Sequence, residues 1–169
     1  MTVKRSRDSG ALWMSIVALS LMPFSACTSG SPEMDAEGMR DFAARYTAAW
    51  SSHDAARVAS FFAEGGSLKV NDADPAVGRE AIAAIAQGFV TAFPDFVLEM
   101  DSVRIDAGNV EYHWTFTGTN SGPGGTGKAV RFSGFEEWTI GDEGLVAESK
   151  GHFDEAEYAR QLEFGVDGT

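Results

Sequence analysis

Apolar positions change their spacing once along the chain. Met39, Phe42, Ala43, Tyr46, Ala49 and Trp50 recur every three to four residues, which predicts an amphipathic helix over 35–51. Asp54 is placed to cap a second short helix running through Ala63, with Val58, Phe61 and Phe62 apolar and Gly65-Gly66 as its stop. Ser67 to Val70 reads as a short strand and residues 71–75 as a loop. A third helix is predicted from about Gly78 to Phe93, with Ile82, Ile85, Ala86, Phe89 and Phe93 on one face and Pro94 ending it. Beyond Pro94 the period becomes two. Phe96 to Ile105 reads as a strand, 106–109 as a turn, and Val110, Tyr112, Trp114 and Phe116 alternate with Glu111, His113, Thr115 and Thr117. After a Gly-rich loop over 120–127, Val130, Phe132, Gly134, Glu136, Trp138 and Ile140 share one face. Residues 141–144 turn the chain, Leu145 to Gly151 is the last strand, and Asp154 to Leu162 a closing helix.

Helices followed by consecutive strands predict an α+β fold, with an antiparallel sheet whose apolar face lies under the helices. That face carries Tyr112, Trp114, Phe132 and Trp138, more rings than short helices pack solidly, so a pocket between sheet and helices is expected. Trp50, Phe89 and Phe93 are core positions that can also line it.

The first 26 residues stand apart. A basic start with Lys4, Arg5 and Arg7 precedes a 12-residue apolar run, Ala11 to Met22, too short to span a bilayer comfortably. It reads as a signal peptide. Phe24-Ser25-Ala26-Cys27 resembles a bacterial lipobox, with Phe24 where Leu, Val or Ile is usual; the alternatives for Cys27 are ordinary cleavage after Ala26 or a buried thiol. Lipidation at Cys27 makes residues 27–37 an anchored tether, 38–165 the domain and 166–169 a tail. Thr28 is not Asp, so an outer-membrane or cell-envelope location is expected.

Charge narrows the partners. The whole chain carries −12 and the leader +2, leaving −14 on the remainder, which repels phosphate backbones and excludes nucleic acid as an expected partner. One cysteine permits no internal disulfide, and three histidines far apart in sequence give no zinc pattern. No metal or organic cofactor is expected. Gly122 to Lys128 suggests a phosphate loop, but Ala129 stands where a hydroxyl residue is required and the loop joins two strands.

Three groups are candidates for proton transfer. Asp154-x-x-Glu157 fits a capping box, or else Asp154 is a carboxylate at a pocket mouth beside His152. Glu136 shares the inward face with Phe132 and Trp138, so it must be hydrogen-bonded, lie at a pocket edge or have a raised pKa; a sheet-edge or bulge position is the bland alternative. His113 points outward, to solvent or to a second copy of the chain.

Several stretches, in order, resemble the SnoaL-like polyketide cyclase (ester cyclase) family of the nuclear transport factor two-like superfamily. They are Trp50 to Asp54, Gly78 to Ile82, Phe93 to Phe96, Gly118-Thr119, Thr126 to Lys128, Phe132 to Gly134, Gly144 and Gln161-Leu162. The resemblance implies a cone-shaped α+β domain with a pocket. It also implies a catalytic aspartate near the end of the last strand, and that position is Gly151 here. A position often held by histidine aligns best with Trp138, and the family's Gly-Thr-His reads Gly118-Thr119-Asn120. The expectation is a domain that binds a small, largely apolar molecule, with or without cofactor-free acid/base activity. The alternatives are a non-catalytic binding or interaction lipoprotein and an assembly module forming a homodimer through the sheet face.

Overall fold

A computed structural model describes residues 34–106 and 109–168. The leader, Cys27 and most of the tether lie outside the described residues, as do two residues of the turn at 106–109.

Helix α1 spans Ala36–Ser51, with the Asp35 side chain accepting from the Gly38 amide at 2.8 Å; all six periodic apolar residues are buried. Helix α2 is shorter than its pattern suggested, Ala55–Ala59, capped by Asp54 on the Arg57 amide at 3.0 Å. The predicted extension through Ala63 is corrected: Phe62 already begins strand β1, Phe62–Val70, and is fully buried. Gly65-Gly66 is no helix stop but part of a register shift in β1 between Phe62 and Ser67. A Cβ on Gly66 would sit 2.8 Å from the Val146 carbonyl oxygen, so close backbone approach requires glycine there.

A two-residue strand β2, Ala76–Val77, leads into α3, Arg79–Ala92. Strands β3 (Val97–Asp106), β4 (Asn109–Thr119), β5 (Ala129–Ile140) and β6 (Val146–Phe153) follow, then α4, Glu155–Phe164. The sheet order is β2-β1-β6-β5-β4-β3. The expected all-antiparallel sheet is mixed instead, because β1 pairs with β6 in parallel. Alternation assigns faces within a strand but does not say beside which strand an isolated one will lie.

Side chains clamp the helices to the sheet. Ser51 Oγ bonds both backbone groups of Leu98 at 3.0 Å, and His53 Nε2 meets the Phe96 carbonyl at 2.8 Å. Arg79 Nε donates to the Phe62 carbonyl at 2.8 Å, joining the start of α3 to the start of β1. Gln161, buried, accepts from the Arg131 amide at 2.6 Å and donates to its carbonyl at 2.9 Å, which docks α4 on β5.

Candidate functional site

The predicted inward faces of β4 and β5 are the inward faces. Beneath the helices they divide into a filled end and an open end. At the filled end Tyr112 and Trp138 stack at 4.8 Å, and Tyr46 of α1 stands edge-on to both, at 5.6 and 5.2 Å. Phe42 closes on Trp138 at 5.7 Å, and Thr47 Oγ1 lies 2.7 Å from the Tyr112 hydroxyl. At the open end a cavity of about 60 Å³ lies between α1, α3 and the sheet. Trp50, Ile85 and Phe89 form its helical wall; Leu68, Val70, Leu98, Trp114, Phe116, Phe132, Glu136, Gly151 and Phe153 form its sheet wall.

Of the seven rings expected at a pocket, Trp50, Phe89, Trp114 and Phe132 line it. Tyr112 and Trp138 belong to the filled end, and Phe93 packs against Phe116 and Tyr158 at 5.2 and 6.4 Å. Gly134 lets the Trp114 ring lie against β5: a Cβ there would come within 2.5 Å of Trp114 Cζ2 and of the His152 carbonyl oxygen. The indole N–H groups of Trp50 and Trp114 are buried without a hydrogen-bond partner.

Glu136 is the carboxyl of the cavity wall and stands where the two ends meet. It is 6% exposed. Oε2 accepts from Ser149 Oγ at 2.6 Å, Trp138 Nε1 at 2.8 Å and the Tyr46 hydroxyl at 3.2 Å, whereas Oε1 has only the Tyr46 hydroxyl at 3.4 Å. Burial pushes its pKa above the usual carboxylate range; the bonds from Ser149, Trp138 and Tyr46 pull the other way and do not cancel it. Among the described residues no cationic side chain pairs with it. The same carboxylate and its burial raise the Tyr46 phenol well above its ordinary value, burial being the larger cause. Neither Tyr46 nor Ser149 is marked as a site residue by the sequence pattern. Tyr46 reads as one more apolar position of α1, and Ser149 shows only as an inward place on β6, two residues before Gly151.

Gly151 is the cross-strand partner of Glu136 and lines the cavity. A Cβ built on it would lie 3.7 Å from Glu136 Cγ and 3.5 Å from the Lys69 carbonyl oxygen, an ordinary contact distance. The position where the resemblance puts an aspartate therefore faces the cavity, and the carboxyl beside it comes from the neighbouring strand.

The structure does not bring the other two candidates to this cavity. Asp154 is exposed and accepts from the Glu157 amide at 3.0 Å as the cap of α4. Glu157 does not reach back to complete the box: Arg160 and Gln161 engage its carboxylate at 2.8 and 2.7 Å and hold its pKa down to about 2. His152 lies on the outer face, 3.3 Å from Glu137 and stacked on Phe135 at 4.8 Å. With Asp154 it borders an open groove that also includes Asn71 and Phe135. His113 likewise faces outward, 3.2 Å from Glu111 and stacked on the other side of Phe135 at 5.5 Å.

A mixed sheet of six strands beneath N-terminal helices, with a cavity on its inner face, defines a nuclear-transport-factor-two-like α+β domain. The chain belongs to the SnoaL-like polyketide cyclase family, whose profile matches residues 40–162. No curated protein sequence matches it. Among solved structures it is similar to TsrD from Streptomyces laurentii (20% identity, TM-score 0.67, covering 77% of this chain and 98% of that one). AclR, a putative hydroxylase from Streptomyces galilaeus, is similar at 22% identity and TM-score 0.64, covering 76% and 86%. So is a putative SnoaL-like polyketide cyclase from Jannaschia sp. CCS1, at 18% identity and TM-score 0.61, covering 73% and 92%. At these identities the likeness is one of fold.

Proposed function

We propose that the domain binds a small, largely apolar molecule in the inner-face cavity, and that the chain is an exported lipoprotein held at the cell envelope through Cys27. The observation that carries the first part is the cavity wall itself: aromatic and aliphatic side chains interrupted by one buried carboxyl. Apolar clefts with a few convergent polar groups are the usual form of small-molecule sites. The test is native mass spectrometry of purified protein beside a Gly151→Leu variant. A bound small molecule in wild type that is missing from the variant supports the reading; equal loading of both overturns it.

Any proton transfer in this cavity falls to Glu136, since Gly151 has no side chain and Asp154 and His152 lie elsewhere. Once a substrate is known, Glu136→Gln is expected to lower turnover by about 10²–10⁴-fold with the fold intact. Binding without turnover is the second reading. It is favoured by the three donors on Glu136 Oε2, which tie that oxygen to the scaffold. For the anchor, Cys27→Ser is expected to move the protein from the membrane to the soluble fraction. Wild type that is itself soluble and unacylated would end that proposal.

A further inference from the structure

Glu136 is a buried acid without a counter-charge. It lines the cavity, and among the described residues no cationic side chain pairs with it. Ser149, Trp138 and Tyr46 donate to Oε2, which favours the carboxylate, while Oε1 keeps a single long contact, 3.4 Å from the Tyr46 hydroxyl. Burial opposes ionisation. A cation brought into the cavity relieves that opposition, because opposite charges attract strongly where water is excluded. Gly151, directly across the ladder, leaves the space beside the carboxylate open.

The rest of the wall narrows the kind of cation. Rings follow one another around it: Trp50 to Phe89 at 6.0 Å, Phe89 to Phe116 at 6.2 Å, Phe116 to Phe132 at 5.1 Å, then Phe132 to Trp114 at 5.8 Å and to Phe153 at 5.1 Å. None of these pairs is stacked face to face. Aromatic rings around a void attract cations through their electron-rich faces, and aromatic cages take methylated ammonium groups in this way. A bare ammonium ion is tightly hydrated and would give up its water for a wall with few acceptors. Methyl groups spread the charge and offer apolar surface to the rings. The net charge of −12 on the chain favours the approach of cations.

We propose that the cavity is a site for a small methylated ammonium ion, caged by aromatic rings and neutralised by the carboxylate of Glu136. This rests on the reading that the cavity binds a ligand, and it adds the ligand's charge and substitution.

The probes are choline, its neutral carbon isostere 3,3-dimethylbutan-1-ol, and ammonium ion. Each is titrated into ¹⁵N-labelled protein at about 0.15 M salt, which screens the outer surface, and followed by two-dimensional NMR. Choline is expected to bind at least about tenfold more tightly than either of the others. Its affinity should rise with pH as Glu136 ionises. Glu136→Gln is expected to weaken choline at least about tenfold, to flatten that pH dependence, and to leave the isostere within about threefold. Phe89→Leu keeps apolar bulk but removes a ring, and is expected to weaken choline at least about fivefold and the isostere less than about twofold. Should Glu136→Gln fail to fold, Phe89→Leu and the wild-type pH series decide. Gly151→Leu should abolish binding of choline and isostere alike and so locate them. An isostere that binds as tightly as choline, or choline indifferent to Glu136→Gln, overturns the cation site while the cavity reading stands. Ammonium as tight as choline overturns the cage. Choline binding that survives Gly151→Leu is attraction to the acidic surface and overturns the proposal as well. If neither choline nor the isostere perturbs a cavity resonance, the cavity reading itself falls.

Discussion

The two ends of the inner face are built from the same kinds of residue and end differently. Around Tyr112 and Trp138, rings from α1 stand edge-on to a stacked pair and fill the space. Around Trp114 and Phe132, a few residues along the same two strands, the rings face Phe89 and Ile85 of α3 across a gap. The difference lies in the covering helix. Helix α1 brings Phe42 and Tyr46 down onto the sheet at one end. At the other, α3 turns only Ile82 and Ala86 fully inward and leaves Ile85 37% exposed. Aromatic content alone does not make a pocket. What matters is whether the opposing helix supplies a ring to every hollow.

This contrast can be broken experimentally. Trp138→Ala at the filled end is expected to cost about 3–5 kcal/mol in urea denaturation, the range for large rings truncated in solid cores. Phe89→Ala at the open end is expected to cost only about 1–2 kcal/mol, because the gap already exists and water can enter. Equal losses would mean that the two ends are packed alike. A smaller effect concerns the boundary residue. Because Glu136 has a raised folded-state pKa, it binds its proton more tightly folded than unfolded. Its contribution is therefore fully present below the unfolded carboxylate pKa and is lost as pH rises through the folded value. Glu136→Gln should remove that decline, so the variant gains on wild type as pH is raised from 4 toward 8, in about that range of measurement. Parallel stability–pH curves would show that Glu136 is ionised without penalty. The smallest effect is expected furthest from the cavity: Asp154→Ala should lose about 0.5–2 kcal/mol of capping, and Asp154→Asn only a small part of that.

The stretches that resemble the family turn out to be fasteners. In Trp50 to Asp54, Ser51 grips the backbone of β3 at Leu98, His53 that of Phe96 just before it, and Asp54 caps α2. Arg79 holds the Phe62 carbonyl, Asp95 accepts from the Thr119 amide at 2.7 Å, and Gln161 brackets Arg131. Such residues are legible in one sequence because their spacing is fixed by the fold, and with the two periodicities they give the element order and the inward face of each strand. The site was legible only in part. Glu136 stood out because a charge in an apolar alternation is anomalous. Tyr46 and Ser149 did not, because a tyrosine on a helix's apolar face and a serine in a strand are unremarkable until the carboxyl they meet, 90 and 13 positions away, is in place. Which rings line a void and which fill one depends on helix placement across the sheet, and periodicity carries no information on that distance.

The parallel seam between β1 and β6 also sets an order of events. β3, β4 and β5 are joined in sequence as antiparallel neighbours, and their contacts are local. β1 has only the two-residue β2 on one side and must wait, on the other, for a strand that begins at Val146. Closing that seam brings together segments separated by most of the domain, the slow kind of contact in folding. Leu68 and Val70 come to lie beside Gly151 on the cavity's sheet wall only when that seam closes, so the cavity is expected to be among the last parts of the molecule to form.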